Sequence, residues 1–175
     1  MPPPDARRGD RWSRPGVLAV ALLVVAVGLG AAAALTAGRD DDPADPAAPS
    51  WATADLDDYA AQLLAASDAA RTGTGATAWE PAPCARAAAA ERAAALVGAD
   101  LEHAPLGPVL AACAPLTTAA ENLSRAAAPP RDVVEAWMGS AGHRANIEDP
   151  ALTQAGAACV HDAGEVLCSL VLVGP

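Results

Sequence analysis

Between Arg14 and Arg39 the chain runs for 24 residues without a charge, PGVLAVALLVVAVGLGAAAALTAG. Crossing the hydrocarbon core of a bilayer takes about 20 apolar residues, so this stretch is long enough to span it as one helix. Arg7, Arg8, Arg11 and Arg14 precede it, and Asp40, Asp41 and Asp42 follow it. An excess of basic residues on one flank keeps that flank in the cytoplasm. The pattern predicts a short cytoplasmic segment over residues 1–15, a single transmembrane helix over 16–38 and an extracytoplasmic remainder. A cleaved export signal shares the basic start, the apolar middle and the small residues of AAAALTAG. Its apolar middle runs roughly 7 to 15 residues, shorter than this one, which favours an uncleaved anchor over the alternative of a secreted product.

Residues 39–52 are acidic and rich in proline, as in DDDPADPAAPS, a composition that buries no apolar surface and stays extended as a linker. One domain over residues 53–175 remains, a usual size for a single core. Beyond Arg39 there are 6 Arg, no Lys and 19 Asp plus Glu, a balance of −13. Such a field repels phosphate backbones, so nucleic acid is excluded as a partner.

The four cysteines, Cys84, Cys113, Cys159 and Cys168, contain no Cys-x-x-Cys pair. In an exported segment an even number without that spacing reads as disulfides rather than as a zinc knuckle or a redox dithiol. In QAGAACVHDAGEVLCSLVLVG two strand-like runs flank Asp162-Ala163-Gly164-Glu165. A turn centred on Ala163 and Gly164 sets Cys159 opposite Cys168 in a non-hydrogen-bonded pair, where Cα atoms lie about 4.5 Å apart and a disulfide fits. Elimination then joins Cys84 to Cys113, the longer loop. Ala163 is not an ideal turn residue, and a slip of one residue would put the two sulfurs on opposite faces.

The first helix is predicted over Asp55 to Arg71, where Leu56, Tyr59, Leu63 and Leu64 share a face and Thr53 or Asp55 caps the start. A second begins near Pro83 and ends before Gly98. LEHAPLGPVLAACAPL, with three prolines and a glycine, reads as loop with at most a short turn of helix. TTAAENLS reads as extended, and Val133, Val134 and Trp137 define a short third helix after Pro129 and Pro130. The order helix, helix, strand, helix, loop, hairpin gives an α+β class with a small antiparallel sheet.

Read together, AWEPAPCARAAAAERAAAL, LEHA, AENLS and VVEAWMGSAGHRANIEDP resemble the CAP superfamily, also called the SCP domain. That family groups cysteine-rich secretory proteins with venom antigens, plant pathogenesis-related proteins and many bacterial exported proteins. The most specific part is Glu121, Asn122 and Leu123 of AENL, followed by Trp137, Ser140, Gly142, His143, Arg144, Asn146, Ile147 and Pro150. The resemblance implies a three-layer α-β-α sandwich around a cleft lined by two His and two acidic residues, which holds a divalent metal in some members. His103 and His143 take the histidine places and Glu121 one acidic place. The second acidic place is Ser140, as is common in bacterial members, and a hydroxyl is a poor substitute for a carboxylate ligand to zinc. Glu135, two residues before Trp137, points elsewhere on its helix.

Within the motif, Trp137 is expected to anchor its helix and Gly142 to let the backbone turn. His143 is expected to enter the cleft, and Asn146 and Pro150 to fix the following loop. Arg144 reads as a surface or capping group and His161 as an exposed strand residue. A purely structural role for the cleft is that Glu121 holds His143 in a buried pair that locks the layers. Asn122-Leu123-Ser124 also spells a glycosylation acceptor, but it coincides with the family motif. Three functions follow. The favoured one is a membrane-tethered, non-enzymatic module whose His103, Glu121, His143 and Ser140 cleft binds a lipid, a cell-wall component or a protein. The second is a peptidase-like hydrolase with His143 as base, Glu121 as its orienter and Ser124 or Ser140 as nucleophile; no G-x-S-x-G motif supports it. The third is zinc held by His103, His143 and Glu121.

Overall fold

The computed structural model describes residues 51–175. The expected cytoplasmic segment, the membrane span 16–38 and the linker up to residue 50 lie outside the described residues. Among the described residues no helix is long and apolar enough to cross a membrane. Trp51 already belongs to the fold: a 3₁₀ turn, Trp51–Thr53, sets its ring edge-on to Tyr59 at 6.0 Å.

Helix α1 spans Leu56–Gly73, with the Asp55 carboxylate capping it by accepting from the Asp58 N–H. Strand β1 is only Glu80–Pro81, and helix α2, Pro83–Ala95, starts on a proline whose missing N–H costs nothing there. A short helix α3, Gly107–Ala112, lies within the segment read as loop. Strand β2 is Thr118–Ala126 and helix α4 is Pro130–Gly139. The stretch after Gly139, expected to be loop, is helix α5, Ala141–Glu148. Strands β3, Gln154–Asp162, and β4, Glu165–Gly174, close the chain as a hairpin.

The sheet order is β1-β3-β4-β2. Expectation and structure differ here, since β1 runs parallel to β3 and makes the sheet mixed rather than antiparallel. The turn falls where the sequence placed it, with Ala163 and Gly164 at positive φ of 50° and 87°, Asp162 facing Glu165 and Cys159 facing Cys168. Both disulfides form as paired, Cys159–Cys168 with Cα atoms 4.1 Å apart and Cys84–Cys113 at 5.4 Å.

Strand β4 is buried along nearly its whole length because helices cover both faces. Its even residues, Val166, Cys168, Leu170 and Leu172, pack with Tyr59, Leu63, Val134, Trp137 and Ile147 of α1, α4 and α5. Its odd residues Val171 and Val173 pack with Ala85, Ala89 and Val109 of α2 and α3, and Leu167 packs with Ala93, Leu96 and Leu123. Alanine on α2 suits this layer, because a small side chain lets the helix backbone approach the strand. At Gly156 a Cβ would come within 2.2 Å of the Arg86 backbone nitrogen.

Candidate functional site

The motif residues converge on β2, the edge strand. Backbone groups on a strand alternate between neighbour and solvent. The 4.1 Å Cα separation of Cys159 and Cys168 marks a non-hydrogen-bonded pair, so Cys168 turns its own N–H and C=O toward Ser124 of β2. The odd residues of β2 therefore aim their backbone away from β4. Two of those outward carbonyls are capped. The Trp137 indole N–H donates to the Leu123 oxygen at 3.0 Å, and the Asn146 amide donates to the Glu121 oxygen at 3.3 Å and to Asn122 Oδ1 at 2.9 Å. The Asn122 amide in turn donates to the His143 oxygen at 3.1 Å. Asn146 thus joins α5 to the sheet rather than fixing the loop after it. Asn122 is fully buried, which leaves no room for a glycan.

Gly142 sits inside α5 without a positive φ, and a Cβ there would meet open space, so no turn depends on it. Ser140 ends α4 and precedes α5, with no side-chain cap bond. Arg144 is exposed on α5, Glu135 is exposed on α4 and His161 is exposed on β3. Pro150 follows the extended Asp149 that ends α5, in keeping with the bias of a residue before proline.

Glu121 is the electrostatic centre of this cluster. Its side chain is 1% exposed, and both oxygens are occupied. Oε1 accepts from Arg92 Nε at 3.0 Å and Ser169 Oγ at 2.9 Å; Oε2 lies 3.0 Å from His103 Nδ1 and accepts from a second Arg92 nitrogen at 3.3 Å. Burial pushes the carboxyl pKa up, but the hydrogen bonds from Arg92, His103 and Ser169 and the Arg92 charge outweigh it and hold the group below its ordinary 4.5. His103, 56% exposed, is therefore tethered through Nδ1, and among the described residues Nε2 has no hydrogen-bond partner.

His143 is not the partner of Glu121. Its ring is tilted against Trp137 at 6.3 Å, and among the described residues it makes no side-chain hydrogen bond. Burial first, and then His103, lower its pKa from the ordinary 6.5. The two imidazoles thus lie within electrostatic reach of each other at the edge of β2. Successive side chains of a strand point to opposite faces, so Glu121 on the α2 side and Ser124 on the other cannot share a triad. The Ser124 hydroxyl is buried without a hydrogen-bond partner among the described residues. With Glu121 not orienting His143, the hydrolase arrangement lacks its third member.

The same contacts bear on zinc. Arg92 already supplies the positive charge beside Glu121 that a metal would bring. Among the described residues no group of three His, Cys, Asp or Glu is placed to hold a metal ion. His103, His143 and Glu121 therefore do not fit a three-ligand zinc centre.

Sequence reading missed Arg92, Ser169 and Arg71. Arg92 stands in an alanine run and Ser169 in an apolar strand, and only the strand parity that puts Ser169 on the face of Glu121 signals the contact. Arg71 stands in the last turn of α1 with 1% exposure. Its guanidinium donates to the carbonyls of Thr77, Ile147 and Asp149 and lies over Trp79 at 4.9 Å, closing the carboxyl end of α5.

A mixed four-stranded sheet between helices, with a clamped Glu on the edge strand, defines an α+β module of the CAP type. The family model for the cysteine-rich secretory protein family matches residues 64–172, and the chain belongs to that family. Solved structures carry the same fold. A cysteine-rich secretory protein of Staphylococcus aureus superposes with a TM-score of 0.60 at 15% identity, over 70% of this chain and 41% of that one. An outer surface protein of Borrelia burgdorferi gives 0.59 at 13% identity, over 69% of this chain and 96% of that one. An extracellular protein of Bacillus anthracis containing an SCP domain gives 0.57 at 15%, over 69% and 41%. The chain thus covers well under half of the Staphylococcus and Bacillus structures. No curated protein matches the sequence.

Proposed function

We propose that the chain is an extracytoplasmic CAP module, tethered to the membrane by residues 16–38, that binds a lipid, cell-wall or protein ligand in the cleft of His103, His143 and Ser140 without turning it over. One observation carries this reading: both oxygens of Glu121 are spent on Arg92, His103 and Ser169, which leaves a fixed anion that orients neither His143 nor a nucleophile. His103 Nε2 and the His143 ring remain as the polar groups a ligand would meet. The two disulfides and the extracellular and surface relatives support the exported side.

The test is a pull-down from native envelopes with the tagged chain and its His143→Ala variant, read by lipid and protein mass spectrometry. A species retained by the first and lost by the second supports binding in the cleft. Turnover of a broad peptide library that disappears in Ser140→Ala, or identical retention by both proteins, contradicts it.

A further inference from the structure

The cleft lies at the β2 edge of the sheet, and the opposite side carries a different feature. Strand β1 covers only the start of β3, pairing Glu80 with Gln154 and Pro81 with Ala155. The Ala82 N–H donates to the Ala155 carbonyl at 2.9 Å, so odd residues of β3 direct their backbone away from β4. Pro83 then turns the chain into α2, and beyond Ala155 no strand among the described residues pairs with this edge. Among the described residues nothing outside the sheet hydrogen-bonds the N–H or C=O groups of Ala157, Cys159 or His161. Those groups recur every second residue, the spacing an added strand requires.

The edge forms the floor of a trough. Two adjoining hollows of about 330 and 370 Å³ run along it, the first over Ala155, Gly156 and Ala157 and the second over Ala158 and Cys159. Ala60, Ala61 and Leu64 of α1 form one wall; Pro83, Arg86 and Ala87 of α2 form the other. The close approach of α2 at Gly156 fixes the second wall. A single ion pair, Arg86 to Asp57 at 2.9 Å, bridges the walls with both side chains largely exposed. An exposed pair of this kind contributes little and yields readily.

We propose that this trough takes up an extended segment of another polypeptide, which adds to β3 as an edge strand. Small apolar side chains suit its inward positions, because alanine lines both walls. Asp57 on the rim is paired with Arg86, and a third hollow adjoining at the β1 end adds Asp68 and Glu80, so the segment carries Lys or Arg toward that end. Main-chain hydrogen bonds hold the segment and the alanine-lined hollows select its side chains. The surface is separate from the His103 and His143 cleft.

The probe is the capped peptide Lys-Ala-Val-Ala-Val-Ala-Lys, with a copy N-methylated at alternate amides as control, titrated against the full chain in a maltoside detergent. Amide hydrogen exchange at Ala157, Cys159 and His161 is expected to slow at least about tenfold with the first peptide. The N-methylated copy is expected to have no effect. Ala87→Trp, at an exposed position on the α2 wall, is expected to abolish protection while His143→Ala preserves it. Absence of protection, equal action of the N-methylated peptide, or loss in His143→Ala with retention in Ala87→Trp overturns the proposal. None of these outcomes bears on ligand capture by the cleft.

Discussion

The Trp137 indole N–H reaches the Leu123 carbonyl at 3.0 Å, so a helix residue closes a backbone acceptor on the open side of an edge strand. Asn146 does the same for Glu121 one pair along. The two most family-specific sequence blocks are therefore halves of one clasp, which protects β2 and fixes the strand that carries Glu121.

If the clasp holds β2, Trp137→Phe keeps most of the packing and leaves the Leu123 carbonyl without its donor. The expected loss is about 1 to 3 kcal/mol, the cost of an unsatisfied buried acceptor, read as a lower denaturant midpoint. An unchanged midpoint refutes the role given to the indole.

Arg92 and Glu121 form a largely buried pair, with side chains 17% and 1% exposed. Removing the cation alone, in Arg92→Met, strands a carboxylate and is expected to cost on the order of 3 kcal/mol. Adding Glu121→Gln is expected to recover part of that loss. A double-mutant cycle with no coupling contradicts the clamp.

Acidification acts through two groups in sequence. The His143 pKa is lowered on folding, so the unfolded chain protonates first; stability is complete above the ordinary 6.5 and falls as pH drops below it. The Glu121 pKa is also lowered, so its contribution is complete above 4.5 and is lost as pH falls through the folded value. Urea unfolding across pH 7.5 to 3 is expected to show both declines, and His143→Gln to lack the first.

Glycine in the motif is separable from glycine in the sheet. Gly142→Ala is expected to be neutral or to stabilise α5 by up to about 1 kcal/mol, since helical alanine outranks glycine. Gly156→Ala, whose Cβ would lie 2.2 Å from the Arg86 nitrogen, is expected to destabilise severely. Thermal unfolding of the two variants decides this.

Much of the fold was legible because its signals are local. The Asp55 cap, the proline starts of α2 and α4 and the Ala163-Gly164 turn follow from short-range chemistry, and the turn register carried the Cys159–Cys168 pairing with it. What was missed is long-range or masked by composition. Gly142 and Asn146 read as loop residues, yet α5 forms because Ile147 packs into the core and Arg71 closes its carboxyl end. The parallel β1 is two residues long and has no pattern of its own. For the candidate site, motif position pointed to His103, Glu121 and His143. The pairing of Glu121 with His103 and Arg92 instead of His143 depended on which face of β2 the side chain takes.

The central claim is that Glu121 is a carboxylate held as an anion by Arg92 and His103. Carbon-13 NMR titration of its side-chain carboxyl tests this directly. The structure predicts a midpoint below 4.5 in the unaltered chain that rises in Arg92→Met. A midpoint at or above 4.5, or one indifferent to Arg92, would contradict it.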